Sequence, residues 1–386
     1  CTAEGKWTPD FSNDKSPYTR NWTLIRRQGD ALLYLLKTAS LLEHLHPNQP
    51  LPHRLLPILR RTADSFVRLW RNYGQFGQFI DQDSAKIFVG GSTSGAIVPA
   101  ALVAAWKRFH EPSYLNVAEE AATLFAREVL ARGYTNGGPG DALQNPDSES
   151  AAALLESYAA LHSATNDREW LNLAKQTAAL LSTWVMPYNF LFPSNSEFGR
   201  LKIQTLGSVF ANTQNKHAAP GICTHSGSAL LYLWQCTGDR RLLNLALDIA
   251  RFLPQCLSRP DRPIHAQDGR PLPSGWINER VNTSDWDENL GGVFYGSCWC
   301  EVSLLLTALE FPGILIIPDT REIVLFDHVL AEWKNNTELH IHNPTNYPAR
   351  VRILSDPSLL LKEFWFLNSP SIEIQPRESL NFPVFS

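Results

Sequence analysis

Three carboxylates fall in one short stretch, Asn136-Gly-Gly-Pro-Gly-Asp141-Ala-Leu-Gln-Asn-Pro-Asp147-Ser-Glu149, just before a small, apolar run that reads as a helix. Paired acids at such range protonate a leaving oxygen or activate water, the work that glycosidases assign to Asp and Glu. Pro146 suits the first helical turn with Asn145 as cap, which puts Asp147 and Glu149 inside that turn. Acids at a helix start also complement the macrodipole, so the stretch is equally good helix chemistry.

Four other stretches carry residues of the same temper. Trp22-Thr-Leu-Ile-Arg26-Arg27-Gln-Gly-Asp30 offers a guanidinium fork for a carboxylate, with Asp30 able to orient it; a surface ion pair is the plain alternative. Gly90-Gly91-Ser-Thr-Ser-Gly95 lacks the lysine of a phosphate loop, and its glycines read as permitting tight packing. Gln214-Asn215-Lys216-His217 runs up to a Pro-Gly helix start, with His225 expected one turn inside. That histidine pair matches no metal-ligand spacing, so no metal and no cofactor are expected, and His217 reads as a substrate ligand or an acid/base. Finally, Trp276, Trp286, Tyr295 and Trp299 alternate with Asp285 and Asp287. Aromatic faces interleaved with acids are the mix a saccharide site uses: faces for stacking, carboxylates for hydroxyls and protons.

Helical periodicity must position these residues. It predicts helices over Leu24–Leu45, Arg54–Tyr73, Gly95–Phe109, Tyr114–Arg132, Ser148–Ser163, Glu169–Val185, Gly221–Cys236, Arg240–Cys256 and Ser297–Leu309. The odd members are apolar almost all round, as buried helices are, whereas the even ones keep a charged face. The chemistry-bearing stretches precede the odd helices, and the even ones follow short turns. One such turn repeats: Leu161-His-Ser-Ala-Thr-Asn-Asp-Arg-Glu-Trp-Leu-Asn-Leu-Ala174 recurs as Leu233-Trp-Gln-Cys-Thr-Gly-Asp-Arg-Arg-Leu-Leu-Asn-Leu-Ala246, with Asp167 and Asp239 placed to cap the next helix. Repeated helical hairpins bury their apolar faces only by stacking on neighbours, so the expectation is a mainly α protein, an (α/α) toroid over residues 1–312. Four hairpins and a ninth helix fall short of a six-hairpin ring, which with the initial Cys1 reads as missing upstream sequence. Between Gly74 and Asp83 a β-hairpin is expected. Beyond Pro312-Gly313 the pattern turns to short strands (314–317, 322–329, 338–342, 349–354, 371–374, 379–384), a small C-terminal β-sandwich over 313–386 with nothing catalytic in it.

Composition narrows the classes further. The chain has 386 residues and a formal net charge of −4, which gives no electrostatic footprint for nucleic acid. No apolar run is long enough to span a bilayer, and no secretory leader is visible. Six scattered cysteines make no disulfide scaffold, and Cys298-Trp-Cys300 has neither zinc nor redox spacing, so buried thiols are expected. Twelve tryptophans in an acidic chain fit a carbohydrate partner. A periplasmic or secreted location is favoured over the cytoplasm.

At the residues quoted above, the chain resembles the six-hairpin (α/α)-toroid carbohydrate-active enzymes. Asp147-Ser-Glu-Ser-Ala-Ala-Ala-Leu-Leu-Glu-Ser is similar to the Asp-Ser-Ser-Ala helix start of unsaturated glucuronyl hydrolases, with Glu149 where Ser is usual, and the Thr-x-Asp-Arg turns recur in that superfamily. That family's Trp-x-Arg-Gly-Gln-Ala-Trp signature is missing, which points to another family of the fold, β-glucuronidase-like. The resemblance implies catalytic acids at inner-helix starts, here Asp147 and the Asp285/Asp287 loop. The expected activity is a glycoside hydrolase for uronate-bearing oligosaccharides. Asp147 or Glu149 would work opposite Asp285 or Asp287. Arg26, Arg27, Asp30, Asp141, Asn215, Lys216, His217, His225 and the aromatics would hold the sugar. A polysaccharide lyase using His217 with Tyr134 or Tyr295, a sugar epimerase using His217 and His225, and a carbohydrate-binding scaffold are the alternatives.

Overall fold

The computed structural model describes residues 21–284, 290–294 and 299–384. The chain divides into two compact units: the described residues up to Trp184 together with Ala211–Asn215, and Val185–Phe210 together with the described residues from Lys216 onward.

The first unit is built of helical hairpins. Its helices are α1 (Ile25–Leu45), α2 (Leu55–Tyr73), α3 (Val98–Phe109), α4 (Pro112–Phe125), α5 (Ser148–Thr165) and α6 (Arg168–Ser182). Helix α3 packs between α1 and α5, while α2 and α4 pack together behind it and α6 pairs with α5. The inner row follows from composition: α3 and α5 present Ala and Leu on nearly every side and bury them. Helices α2 and α6 bury one stripe and expose Arg, Lys and Glu on the other. The strand β1 (Trp22–Leu24) leads directly into α1 and pairs with β2 (Phe79–Asp81), which pairs with β3 (Ile87–Val89). The expected hairpin thus closes later than Asp83 and gains a third strand. A short 3-10 turn at Ser94–Ile97 precedes α3. Gly95 there has no room for a side chain, since a Cβ would come within 2.7 Å of the Phe76 ring.

The turns inside the hairpins share one design. His110, Asn166 and Gly238 adopt left-handed backbone conformations and donate their N–H to the preceding helix, at 2.8, 2.8 and 2.7 Å. The residue that follows, Glu111, Asp167 or Asp239, accepts a backbone N–H of the next helix. The third of these turns lies in the second unit, between α8 (Ser228–Thr237) and α9 (Arg240–Phe252).

The second unit also holds α7 (Glu197–Leu201), the paired β4 (Val209–Phe210) and β5 (Ala218–Ala219), and α10 (Trp299–Glu310). Two expectations are corrected here. The helix expected from Gly221 begins only at Ser228, because Gly221, Thr224 and Gly227 all take positive φ. Helix α7 and its long flanking loops carry no sustained periodicity and were not expected. After Gly313 come β6 (Ile314–Ile317), β7 (Glu322–Leu325), β8 (Leu330–Trp333), β9 (Glu338–His342), β10 (Ala349–Leu354), β11 (Ser371–Ile374) and β12 (Ser379–Pro383). They form a four-stranded sheet, β11-β10-β6-β7, and a three-stranded one, β12-β9-β8. Ile314, Ile316, Val351 and Ile353 of the first share one core with Leu339 and Ile341 of the second. Among the described residues no helix is long and apolar enough to cross a membrane.

Candidate active site

The start of α5 gathers the sharpest of the sequence candidates. Asp147 itself, not Asn145, is the helix cap, with extended backbone and its Oδ1 accepting from Ser150 N at 2.6 Å. Pro146 therefore lies outside the helix, held in a bridge with Asn136. The other oxygen of Asp147 accepts from Gly138 N at 3.0 Å and Ser150 Oγ at 3.2 Å. The residue is fully buried. Burial pushes its carboxyl above the usual range, against the pull of the Ser150 and Gly138 N–H groups and of Arg26.

Glu149 stands in the first turn of α5 and reaches the edge of solvent, its side chain 12% exposed. Arg26, from the first turn of α1, makes an ion pair with it, and the same guanidinium lies 3.5 Å from Asp30 on the next turn. Desolvation pushes Glu149 up to about 7; Arg26 opposes this, and Asp147, Asp141 and Asp30 add to it. One cation is thus shared among several carboxylates, and their mutual repulsion adds to the desolvation that favours the acid form of Glu149. Chemically, this is a carboxylic acid able to give a proton near neutral pH, with a guanidinium in place to receive the charge that remains.

The glycine-rich loop over this pair is held chiefly by Gln78, which carries no sequence signal of its own. Gln78 is completely buried, donating to Pro139 O at 3.2 Å and Ala142 O at 3.0 Å and accepting from Gln144 N. Thr93 and Asn136 exchange hydrogen bonds behind it. Gly138 is obligatory on steric grounds, since a Cβ would sit 2.6 Å from Asp147 Oδ1 and 3.0 Å from Glu149 Cβ. At Gly140 the added atom would lie 3.4 Å from Arg27 Nη2, which places the exposed Arg27 beside the loop. The segment Ala211–Asn215 closes the other side. Asn212 bridges to Asp147, Ser148 N donates to Ala211 O, and Asn215 donates to Asp141 at 3.1 Å. Arg26, Asp30, Asp141, Asp147, Glu149 and Asn215 are therefore brought together within the first unit.

Tyr134 is exposed on the first unit, and the remaining candidates lie in the second unit or outside the described residues. His217 is buried with Nδ1 2.9 Å from Ala218 O, at the start of β5. Lys216 precedes it in left-handed backbone and accepts from Ser284 Oγ through its carbonyl. His225 is buried in the turn before α8, its N–H bonded to Ile222 O, and not one turn inside a helix as expected. Trp276 packs against the small cluster of Ile264, Leu272 and Val293. Trp299 lies against the core around Phe198 and Phe252, and its indole N–H donates to Glu279 at 2.9 Å. The apolar faces of both tryptophans thus have protein partners. Asp285, Trp286, Asp287 and Tyr295 fall outside the described residues. Cys256 and Cys300 are buried with their thiols raised by desolvation, Cys256 to about 12. Among the described residues no group of His, Cys, Asp and Glu is arranged for a metal ion.

No protein-family profile and no curated protein matches this chain. Among solved structures, similar ones include a D-mannose isomerase, with a TM-score of 0.44, 14% identity and coverage of 71% of this chain and 70% of that one. A glycoside hydrolase family 76 mannosidase from Bacteroides thetaiotaomicron gives a TM-score of 0.42, 14% identity and 69% of each chain. A sugar epimerase from a ruminal bacterium gives 0.41 and 11%, and this chain spans 63% of it, less than two thirds of its length. At these values the likeness does not speak to this chain's chemistry.

Proposed function

We propose that the chain is a carbohydrate-active enzyme, a glycoside hydrolase for uronate-bearing oligosaccharides on an (α/α)-toroid scaffold, with Glu149 as its proton donor. The observation that carries this is Glu149 itself, at the edge of solvent at the start of a buried helix, paired with the Arg26 guanidinium and with its carboxyl pushed up to about 7 by burial. In the proposed step Glu149 gives its proton to the glycosidic oxygen as the bond from that oxygen to the anomeric carbon breaks. The bond electrons pass to the departing oxygen, and water supplies hydroxyl to the sugar and a proton to the site. Arg26 stabilises the carboxylate that Glu149 becomes. Asp147, with no exposed surface, acts as a positioning residue that locks the Gly138 loop to the helix. Arg27, exposed beside Gly140, stands where it could also contact a substrate carboxylate. Residues 313–386 serve as an accessory β module.

A screen of uronate-bearing oligosaccharides with reducing-end detection tests the reading. Glu149→Gln is expected to lower kcat by about a hundredfold or more, the usual worth of a general acid, and an unaffected kcat refutes the assignment. A product that gains ultraviolet absorbance carries a conjugated double bond; elimination would then replace hydrolysis as the reaction.

A further inference from the structure

The second unit contains a large cavity whose lining was not singled out by any sequence feature. It has a volume of about 1040 Å³ and lies among the end of α9 and the turns after it, the last turns of α10, and β10 with its neighbouring loops. The helical side supplies Lys202, Arg251, Arg259 and Arg262, and β10 adds Arg350 and Arg352; the acid on the lining is Asp327. Asp327 already lies 2.5 Å from His328, and Arg259 is met at 3.1 Å by Asp261. Among the described residues the other five cations have no carboxylate within ion-pair distance.

Their existing bonds hold these cations in place without neutralising them. Arg262 donates to Gln255 O at 2.7 Å and Leu201 O at 3.1 Å. Arg352 donates to Leu309 O at 2.9 Å at the carboxyl end of α10, and Arg251 to Leu325 O at 2.9 Å. All three use carbonyl acceptors, which orient a guanidinium but leave its charge. Burial, and to a lesser extent the neighbouring guanidiniums, push both Arg262 and Arg352 below the ordinary arginine value. Repulsion among these guanidiniums is a stability cost that an anion would relieve. Aromatic faces stand among the charges: Tyr347 with Arg259 5.4 Å over its ring, and Phe366 with Arg352 at 5.8 Å.

We infer that this cavity is a binding site for a multiply charged acidic saccharide, separate from the Glu149 site. Its volume is at the upper end for small-molecule pockets and suits several sugar units. Dispersed cations match a chain of carboxylates or sulfates. The choice of a saccharide over another polyanion rests on the carbohydrate reading above.

The test is calorimetric titration of the whole chain with hepta-galacturonate at low and moderate salt, with maltoheptaose and a seven-nucleotide single-stranded DNA as comparisons. Binding of the uronate that weakens with salt, and that falls about tenfold or more in Lys202→Ala/Arg350→Ala, is expected. Both residues are exposed, and thermal melting confirms that the variant is folded. The titrations are repeated in Glu149→Gln, in which the uronate is not hydrolysed, and the salt-sensitive binding is expected to fall when Lys202→Ala/Arg350→Ala is added to that background, so loss of hydrolysis and loss of this site are separable. Equal binding by the double variant, no uronate binding, or tighter binding of the oligonucleotide overturns the inference.

Discussion

Glu149 carries the heaviest chemical burden of any single side chain described, because its acid form persists to about pH 7. As general acid it must be protonated, so kcat/KM should fall as pH rises through about 7, and Glu149→Gln should remove that limb along with most of the rate. The same shift sets a stability trend. A carboxyl whose folded value is raised from 4.5 to about 7 binds its proton more tightly in the native state. Its contribution is therefore complete below pH 4.5 and is lost as pH rises from there through about 7. Urea midpoints measured across that window should decline in the native chain, and less steeply in Glu149→Gln. Gly138 gives a second test at the same scale. One added methyl at Gly138→Ala intrudes on Asp147 Oδ1. The carboxylate must move, and Glu149 Cβ, 3.0 Å from the added atom, with it; activity should drop by about tenfold or more while far-ultraviolet circular dichroism stays unchanged, since misplacing the proton donor by about 1 Å is costly. Native-level activity in that variant would show that Asp147 does not need its present position.

At the scale of elements, the hairpin turns invite a direct stability measurement. Asp167 and Asp239 accept the Glu169 and Arg241 N–H groups in the first turns of α6 and α9, and replacement of each by Ala should cost about 1 kcal/mol in unfolding free energy. Because the two turns lie in separate units, the costs should add in the double variant. These turns were legible in the sequence for a plain reason. Thr-Asn-Asp-Arg and Thr-Gly-Asp-Arg each combine a residue tolerant of left-handed backbone with a capping acid, and both signals are local. The inner and outer rows were legible for a similar reason, as Ala-rich α3 and α5 differ in periodicity from α2 and α6. The start of α8 was not, since Gly221 to Gly227 is apolar enough to mimic a helix while its positive φ values depend on how the chain is held. Nor was the cap of α5: Pro146 fits a first turn by rule, yet its bridge to Asn136 draws it outside. Gln78 was beyond reach altogether, because its role is to satisfy carbonyls some sixty residues away, and nothing in a lone glutamine announces that.

For the whole molecule, the division into units is not a division of the chain at one point. Ala211–Asn215 belongs with the first unit, although residues on both sides of it belong with the second. A fragment ending at Trp184 therefore lacks Asn212 beside Asp147, the Ala211 carbonyl that binds Ser148, and the Asn215 amide on Asp141. Such a fragment should keep much of its helix content but melt at lower temperature than the intact first unit, and should recover when a peptide spanning 208–218 is added in excess. No recovery would mean that these contacts contribute little.

That five-residue return also fixes an order of events during synthesis. A ribosome delivers residues from the amino end, and domains generally fold as they emerge. The first unit cannot do so in full: its acid-bearing pocket stays unfinished until Asn215 has left the exit tunnel, by which time the early part of the second unit is already outside. The nascent protein must therefore hold an open seam at the very place where its chemistry is proposed.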